Sequence, residues 1–223
     1  MAVINVAVDG PAGAGKSSVS RRVAKELGYI YVDTGALYRA VGLSAMRQQI
    51  DPKDAAAVER MLDGTQVSLR FVNGEQRAFL GDEDVSDQIR TPQASMAASA
   101  VSAVPAVRAF LFALQQDIAA HNNCLMDGRD IGTVVLPNAD VKVFLTASAE
   151  TRAERRCLEL REKNMPAPYE QVLAEIEERD YNDAHRAIAP LRQAEDAVLL
   201  DTSALDFEEA CCALLRIIKE TIQ

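Results

Sequence analysis

The chain has 223 residues, 48% hydrophobic and 26% charged, which fits one globular domain with its own core and argues against disorder, collagen or coiled coil. Asp plus Glu outnumber Lys plus Arg 33 to 24, a net charge of −9 that disfavours wrapping nucleic acid, so any anionic ligand needs positive charge gathered in a cleft. No stretch approaches the roughly 20 apolar residues of a membrane span, the start at Met1-Ala2-Val3 lacks a signal-peptide layout, and Cys124, Cys157, Cys211 and Cys212 with His121 and His185 show no zinc spacing. The expectation is a cytoplasmic protein with free thiols.

Residues 3–8, Val-Ile-Asn-Val-Ala-Val, form a nearly continuous apolar run, the pattern of a strand buried on both faces. A glycine-rich loop follows, then a helix over Ser17–Leu27 closed by Gly28. Tyr29–Val32 reads as a second strand, and Thr34-Gly35 opens a second helix. Val67, Leu69 and Phe71 then alternate with polar residues before Asn73-Gly74, and Ala78 and Leu80 follow, which is a β-hairpin pattern. Residues 92–103 read as a helix, and Pro105 starts another with Val107, Leu111, Leu114 and Ile118 on one face. Cys124–Met126 and Val141–Leu145 are strands, 149–162 and 169–187 helices, Ala197–Leu200 a last strand, and Phe207–Ile222 an amphipathic helix.

Strands alternating with helices predict an α/β fold with a doubly wound parallel sheet, and the hairpin predicts an inserted mixed α/β subdomain. The expected division is a single domain over 1–223. Its core is 1–62 and 120–223, its insertion 63–119, and a helical lid covers about 150–187.

Gly10-Pro11-Ala12-Gly13-Ala14-Gly15-Lys16-Ser17 fits GxxxxGK[ST] between a strand and a helix, the signature of the P-loop NTPase fold. Its glycines let backbone amides turn toward a phosphate, and the helix adds its positive end. Lys16 reaches the β/γ-phosphates and the Ser17 hydroxyl is a ligand for Mg²⁺. No DxxG or NKxD occurs, so the residues of a guanine-nucleotide switch are missing and a small phosphotransferase remains.

Thr34 and Arg39, in Asp33-Thr34-Gly35-Ala36-Leu37-Tyr38-Arg39, stand where a second phosphate would lie; the alternative is a helix cap at Thr34 and a solvated Arg39. Asp127-Gly128-Arg129-Asp130 ends another strand, and Asp127 resembles the carboxylate that holds Mg²⁺ through water. Arg179, Asp183 and Arg186 share one helix face, and Arg152, Arg155 and Arg156 another. These faces either converge on phosphates or pair on the surface with Glu154, Glu159, Glu177 and Glu178.

Together, GPAGAGKSS at 10–18, DTGALYR at 33–39, DGRDIGTVV at 127–135 and ERDYNDAHRAIAPL at 178–191 resemble the bacterial cytidylate kinase family of nucleoside-monophosphate kinases, in order and over essentially the whole chain. The resemblance implies transfer of the ATP γ-phosphoryl to CMP or dCMP with Mg²⁺; a monomer is expected because no patch stands out as an interface and the transfer needs no partner subunit, and the net charge and lack of an apolar span predict no nucleic-acid or membrane partner. It assigns ATP to residues 10–18, Ser18 included, and to Arg152, Arg155 and Arg156. It assigns CMP to Thr34, Arg39, Ser99, Arg108, Arg129, Asp130, Arg179, Asp183 and Arg186. Lys16, Arg129 and Arg186 would carry the transfer. Cytosine offers an N4 donor to Asp130 and Ser99 and accepts from Arg108 at N3 and O2, whereas uracil inverts the pattern, so CMP is expected over UMP. For Ser99 and Arg108 the plain alternative is an ordinary helix surface. The family often carries an arginine where Asn182 stands here, which leaves the lid contacts the least defined part of the assignment.

Overall fold

The computed structural model describes residues 3–72 and 75–222. In chain order the elements are β1 (Asn5–Asp9), α1 (Lys16–Leu27), β2 (Ile30–Asp33), α2 (Thr34–Arg47), α3 (Ala55–Leu62), β3 (Val67–Val72), β4 (Glu75–Leu80), β5 (Glu83–Asp84), α4 (Pro92–Val101), α5 (Pro105–His121), β6 (Cys124–Gly128), β7 (Val141–Thr146), α6 (Ala149–Glu162), α7 (Tyr169–His185), β8 (Val198–Asp201) and α8 (Phe207–Thr221). A 3₁₀ turn covers Gln88–Arg90 and a π turn Ile131–Val135. The chain forms two compact units, Met1–Tyr31 with Asn122–Gln223, and Val32–His121.

The first unit is built on a five-stranded sheet in the order β2-β6-β1-β7-β8, with β1 parallel to β6 and β7, and β7 parallel to β8. Its central strands carry apolar side chains on both faces, with Val6, Ala7, Val8, Leu125 and Met126 fully buried. On one face Val19 and Val23 of α1 and Leu214 and Ile218 of α8 pack over Val6, Val8, Leu125, Val143 and Leu145. Full burial of a side chain such as Leu214 stabilises the fold by roughly 1.5–3 kcal/mol. Gly28 stops α1 in the left-handed conformation at φ 70°, donating its N–H to the Ala24 and Lys25 carbonyls. Asp206 and Glu209 start α8 with a reciprocal capping box. This is the predicted doubly wound α/β sheet of a P-loop NTPase fold.

In the second unit β3 and β4 pair antiparallel from Val67↔Leu80 to Val72↔Glu75, and β5 adds a third strand. The expected Asn73-Gly74 turn lies outside the described residues. α2 crosses α4 closely, and a Cβ on Gly42 would meet Ala97 Cβ at 2.9 Å. Leu37, Val41, Val58, Met61, Val101, Val107 and Leu111 form one core, while Ala36, Ala40 and Leu43 of α2 pack with Ala78, Val85 and Ile89. This packing draws α2 and α3 into one compact unit with the hairpin. The unit therefore starts at Val32, ahead of the residue-63 boundary read from the hairpin alone. α3 is a helix beyond those predicted from the sequence; Asp54 caps it through the Ala57 amide, Val58 and Met61 are buried, and Leu62 packs partly buried against the same core.

Candidate active site

The loop from Gly10 to Ser17 joins β1 to α1. Gly10 has φ 148°, and a Cβ there would lie 1.9 Å from the Leu145 carbonyl oxygen, so only glycine fits. Side chains take the loop's carbonyls: Lys16 Nζ donates to Pro11 O at 2.7 Å, Arg152 Nη1 to Ala12 O at 3.1 Å and Thr202 Oγ1 to Ala14 O at 3.3 Å. With those carbonyls engaged, the loop's amides remain for an anion. Thr202 follows β8 and escaped sequence reasoning, because no local motif marks a hydroxyl that far along the chain.

Lys16 is buried at 5% exposure. Desolvation foremost, then the Arg129 charge, holds its ammonium well below the usual lysine range, against the pull of Asp127 and Asp9. The Ser17 hydroxyl donates to Asp127 Oδ2 at 2.7 Å, and Tyr31 Oη donates to Asp127 Oδ1 at 3.2 Å. Asp127 reaches this place because it is the penultimate residue of β6, the parallel neighbour of β1, with Val8 opposite Asp127 in the register. A hydroxyl and a carboxylate side by side are the hard oxygen donors that suit Mg²⁺.

Beyond Asp127 the site carries two crossed ion pairs. Arg129 Nε donates to Asp183 Oδ2 at 2.8 Å, and Arg186 Nη2 to Asp130 Oδ1 at 3.3 Å. Burial pushes the Asp183 carboxyl up, but Arg129 foremost, with Arg179 and Arg186, holds it below the usual carboxylate value. The structure thus brings Arg129, Asp130, Arg179, Asp183 and Arg186 into one electrostatic cluster. The expected clustering of Arg152, Arg155 and Arg156 does not occur. Arg152, 4% exposed, pairs bidentately with Asp180 at 3.0 and 2.5 Å, Arg155 donates to the Thr202 and Leu205 carbonyls at 2.7 and 3.3 Å, and Arg156 pairs with Glu159 at 2.7 Å. Spacing on one helix face put them together, but their long side chains diverge to separate partners. Arg156 follows the surface-pairing alternative.

The second unit carries the other predicted positions. Asp33, not Thr34, caps α2, its Oδ1 accepting from the Ala36 amide at 3.0 Å. Asp33 Oδ2 also accepts from Arg39 Nη2 at 2.6 Å, while Arg39 Nε is buried without a hydrogen-bond partner. A buried unmet donor is costly, and an anion would satisfy it. Thr34 is buried at 3% exposure. Ser99 is exposed on α4, and Arg108 on α5 has its guanidinium 5.9 Å from the Tyr38 ring centre. Gln76 of β4 bonds both the Asp33 amide, at 2.8 Å, and its carbonyl, at 3.4 Å, a brace that sequence reading missed.

Among the described residues, no single helix is long and apolar enough to cross a membrane.

The family model described as cytidylate kinase matches residues 6–220. A cytidylate kinase of Caldicellulosiruptor bescii is 48% identical over 223 residues, covering 100% of this chain and 99% of that protein. One of Caldicellulosiruptor saccharolyticus is 49% identical, covering 100% and 98%. Among solved structures, an uncharacterized protein from Eubacterium ventriosum aligns with a TM-score of 0.53 at 11% identity, covering 97% of this chain and 98% of that one, a likeness of fold alone.

Proposed function

Since this chain belongs to the cytidylate kinase family, an ATP-dependent phosphotransferase family, we propose how its residues divide the work of phosphorylating CMP. The protein transfers the γ-phosphoryl of ATP to CMP or dCMP, giving ADP and CDP or dCDP, a step of pyrimidine metabolism. The observation that carries the residue assignment is the loop 10–17 with Lys16 buried at its neck and Ser17 bonded to Asp127.

In this reading the loop 10–18 receives the ATP phosphates through its backbone N–H groups, Pro11 having none to give. Burial, with the Arg129 charge, disfavours the Lys16 ammonium, and phosphate oxygens beside it would favour the charged form, so its charge is stabilised where the reaction needs it. Ser17, and Asp127 through water, would hold Mg²⁺, which would supply positive charge to offset that of the phosphates. Arg152 supports the loop through Ala12, whereas Arg155, bonded to the Thr202 and Leu205 carbonyls, and Arg156, paired with Glu159, would have to leave these partners to reach ATP.

Thr34, Arg39, Ser99, Arg108, Arg129, Asp130, Arg179, Asp183 and Arg186 contribute to CMP binding. Asp130 and Ser99 accept from the cytosine amino group, and Arg108 donates to N3 and O2. Arg129 and Arg186 neutralise phosphoryl oxygens, and Arg179 and Asp183 take the pentose hydroxyls. The acceptor oxygen of CMP is already anionic near neutral pH, so positioning and charge neutralisation carry the rate rather than a strong general base. For this, Arg129 and Arg186 exchange their carboxylate partners for phosphate oxygens. Closure of the lid formed by α6 and α7 over about 150–187 excludes water and suppresses ATP hydrolysis. The protein acts as a cytoplasmic monomer, with nucleotides rather than nucleic acid or membrane as its partners; the net charge of −9 supports the first of these exclusions.

The test is ADP formation from Mg-ATP with and without CMP. Formation that depends on CMP supports the reading; equal formation without it contradicts the acceptor assignments.

A further inference from the structure

Asp9 ends β1 directly before the phosphate loop and is 5% exposed. Its two carboxylate oxygens are both used: Oδ1 accepts from the Ile131 amide at 2.8 Å and Oδ2 from the Gly132 amide at 2.7 Å. These are the first two amides of the π turn that follows Asp130. The turn closes on its own carbonyls, with Val134 N donating to Asp130 O at 2.9 Å and Leu136 N to Ile131 O at 2.7 Å. The Lys142 side chain supports it from another side, since a Cβ on Gly132 would meet Lys142 Cδ at 3.2 Å and Asp9 Oδ2 at 3.4 Å. Lys142 is itself fixed by Asp196 at 2.7 Å.

We infer that Asp9 is a positioning residue for the acceptor half of the reaction: its carboxylate grips the Ile131 and Gly132 amides and thereby sets the place of Asp130. The inference rests on the reading of Asp130 as a cytosine contact. Two backbone donors at the free end of a helical turn are ordinarily met by water or a short cap. Here they are met by a buried carboxylate on the strand that also launches the phosphate loop. One residue therefore fixes the relation between the loop that takes the donor and the turn that reads the acceptor base. Burial works against such a group, lifting its carboxyl to about 6. A buried charge of this kind is retained where both of its oxygens are needed.

The test is Asp9→Asn, which keeps the shape but turns an N–H₂ donor toward one of the two amides. Steady-state kinetics with CMP, UMP and ATP, run beside Asp130→Asn, separate the alternatives. The expected result is a KM for CMP raised about tenfold or more, a CMP-to-UMP preference in kcat/KM reduced by a similar factor, and a KM for ATP within about twofold of the parent. A general loss of stability would lower the active fraction and leave both the CMP KM and the base preference in place; that result, or a KM rise for ATP as large as for CMP, overturns the inference. If Asp130→Asn erodes base preference and Asp9→Asn does not, the Asp9 role alone fails. If Asp130→Asn leaves base preference intact, the pocket reading fails and the inference with it. Should Asp9→Asn not fold, Gly132→Ala presses on the same turn, and the same kinetics decide.

Discussion

Arg129, at the end of β6, and Asp183, on α7, hold each other at 2.8 Å with only 20% and 11% of their side chains exposed. The pair ties α7 to the edge of the parallel sheet, and the crossed pair Arg186–Asp130 repeats the tie one step along. Asp183→Ala leaves the Arg129 guanidinium half-buried without its partner, a loss of about 1–3 kcal/mol of stability. Denaturant unfolding of the two proteins checks this, and an unchanged midpoint contradicts it. The variant should also raise the KM for CMP more than that for ATP.

Lys16→Ala should lower kcat on the order of a hundred- to a thousandfold or more, the scale of removing one preorganised charge from a transferring phosphoryl group. The fold should survive, because Lys16 is desolvated at a cost and its alanine variant relieves that cost. Circular dichroism and a coupled ADP assay give both readings.

Ser17 and Asp127 predict how the enzyme responds to metal. Chelation with EDTA should abolish turnover, and added Mg²⁺ should restore it. Ser17→Ala should require more Mg²⁺ for half-maximal rate, while Ser17→Thr, which keeps the hydroxyl, should behave nearly as the parent does. An identical Mg²⁺ dependence in all three proteins would contradict the ligand assignment.

The α/β alternation, the phosphate loop and the C-terminal helix were legible because each is a local pattern: apolar runs, a spaced glycine motif and a 3.6-residue period. Asp127, Arg129 and Asp130 were legible as residues on a strand end. The partners of Arg129 and Asp130 were not, because Asp183 and Arg186 approach through the tertiary packing of α7 and the residue that follows it. The three arginines of α6 show the limit of periodicity. It places Cα atoms on one face but says nothing of where a four-bond side chain finds its acceptor. Asp9 merely follows the apolar run 3–8 in the sequence, since nothing local announces that its oxygens meet amides more than a hundred residues later.

Asp9 also predicts a pH dependence. Burial foremost, with Asp130 adding to it, raises its carboxyl from 3.8 to about 6, against the Gly132 and Ile131 amides and Lys16. Between these values the folded chain holds a proton that the unfolded chain has released. The stabilising contribution is therefore complete below the lower value and lost as pH rises through the upper one. Asp9→Asn removes that slope. The stability difference between parent and variant should shift in the parent's favour as pH falls across this window; a difference independent of pH contradicts the shift.

The most direct test of the account offers CMP, dCMP, UMP, AMP and GMP separately to the enzyme with Mg-ATP and measures ADP release. The account predicts turnover concentrated on CMP and dCMP, because the contacts proposed for Asp130 and Ser99 with N4 and for Arg108 with N3 and O2 would leave uracil with inverted partners. Equal kcat/KM for CMP and UMP would contradict the roles given to Ser99, Arg108 and Asp130.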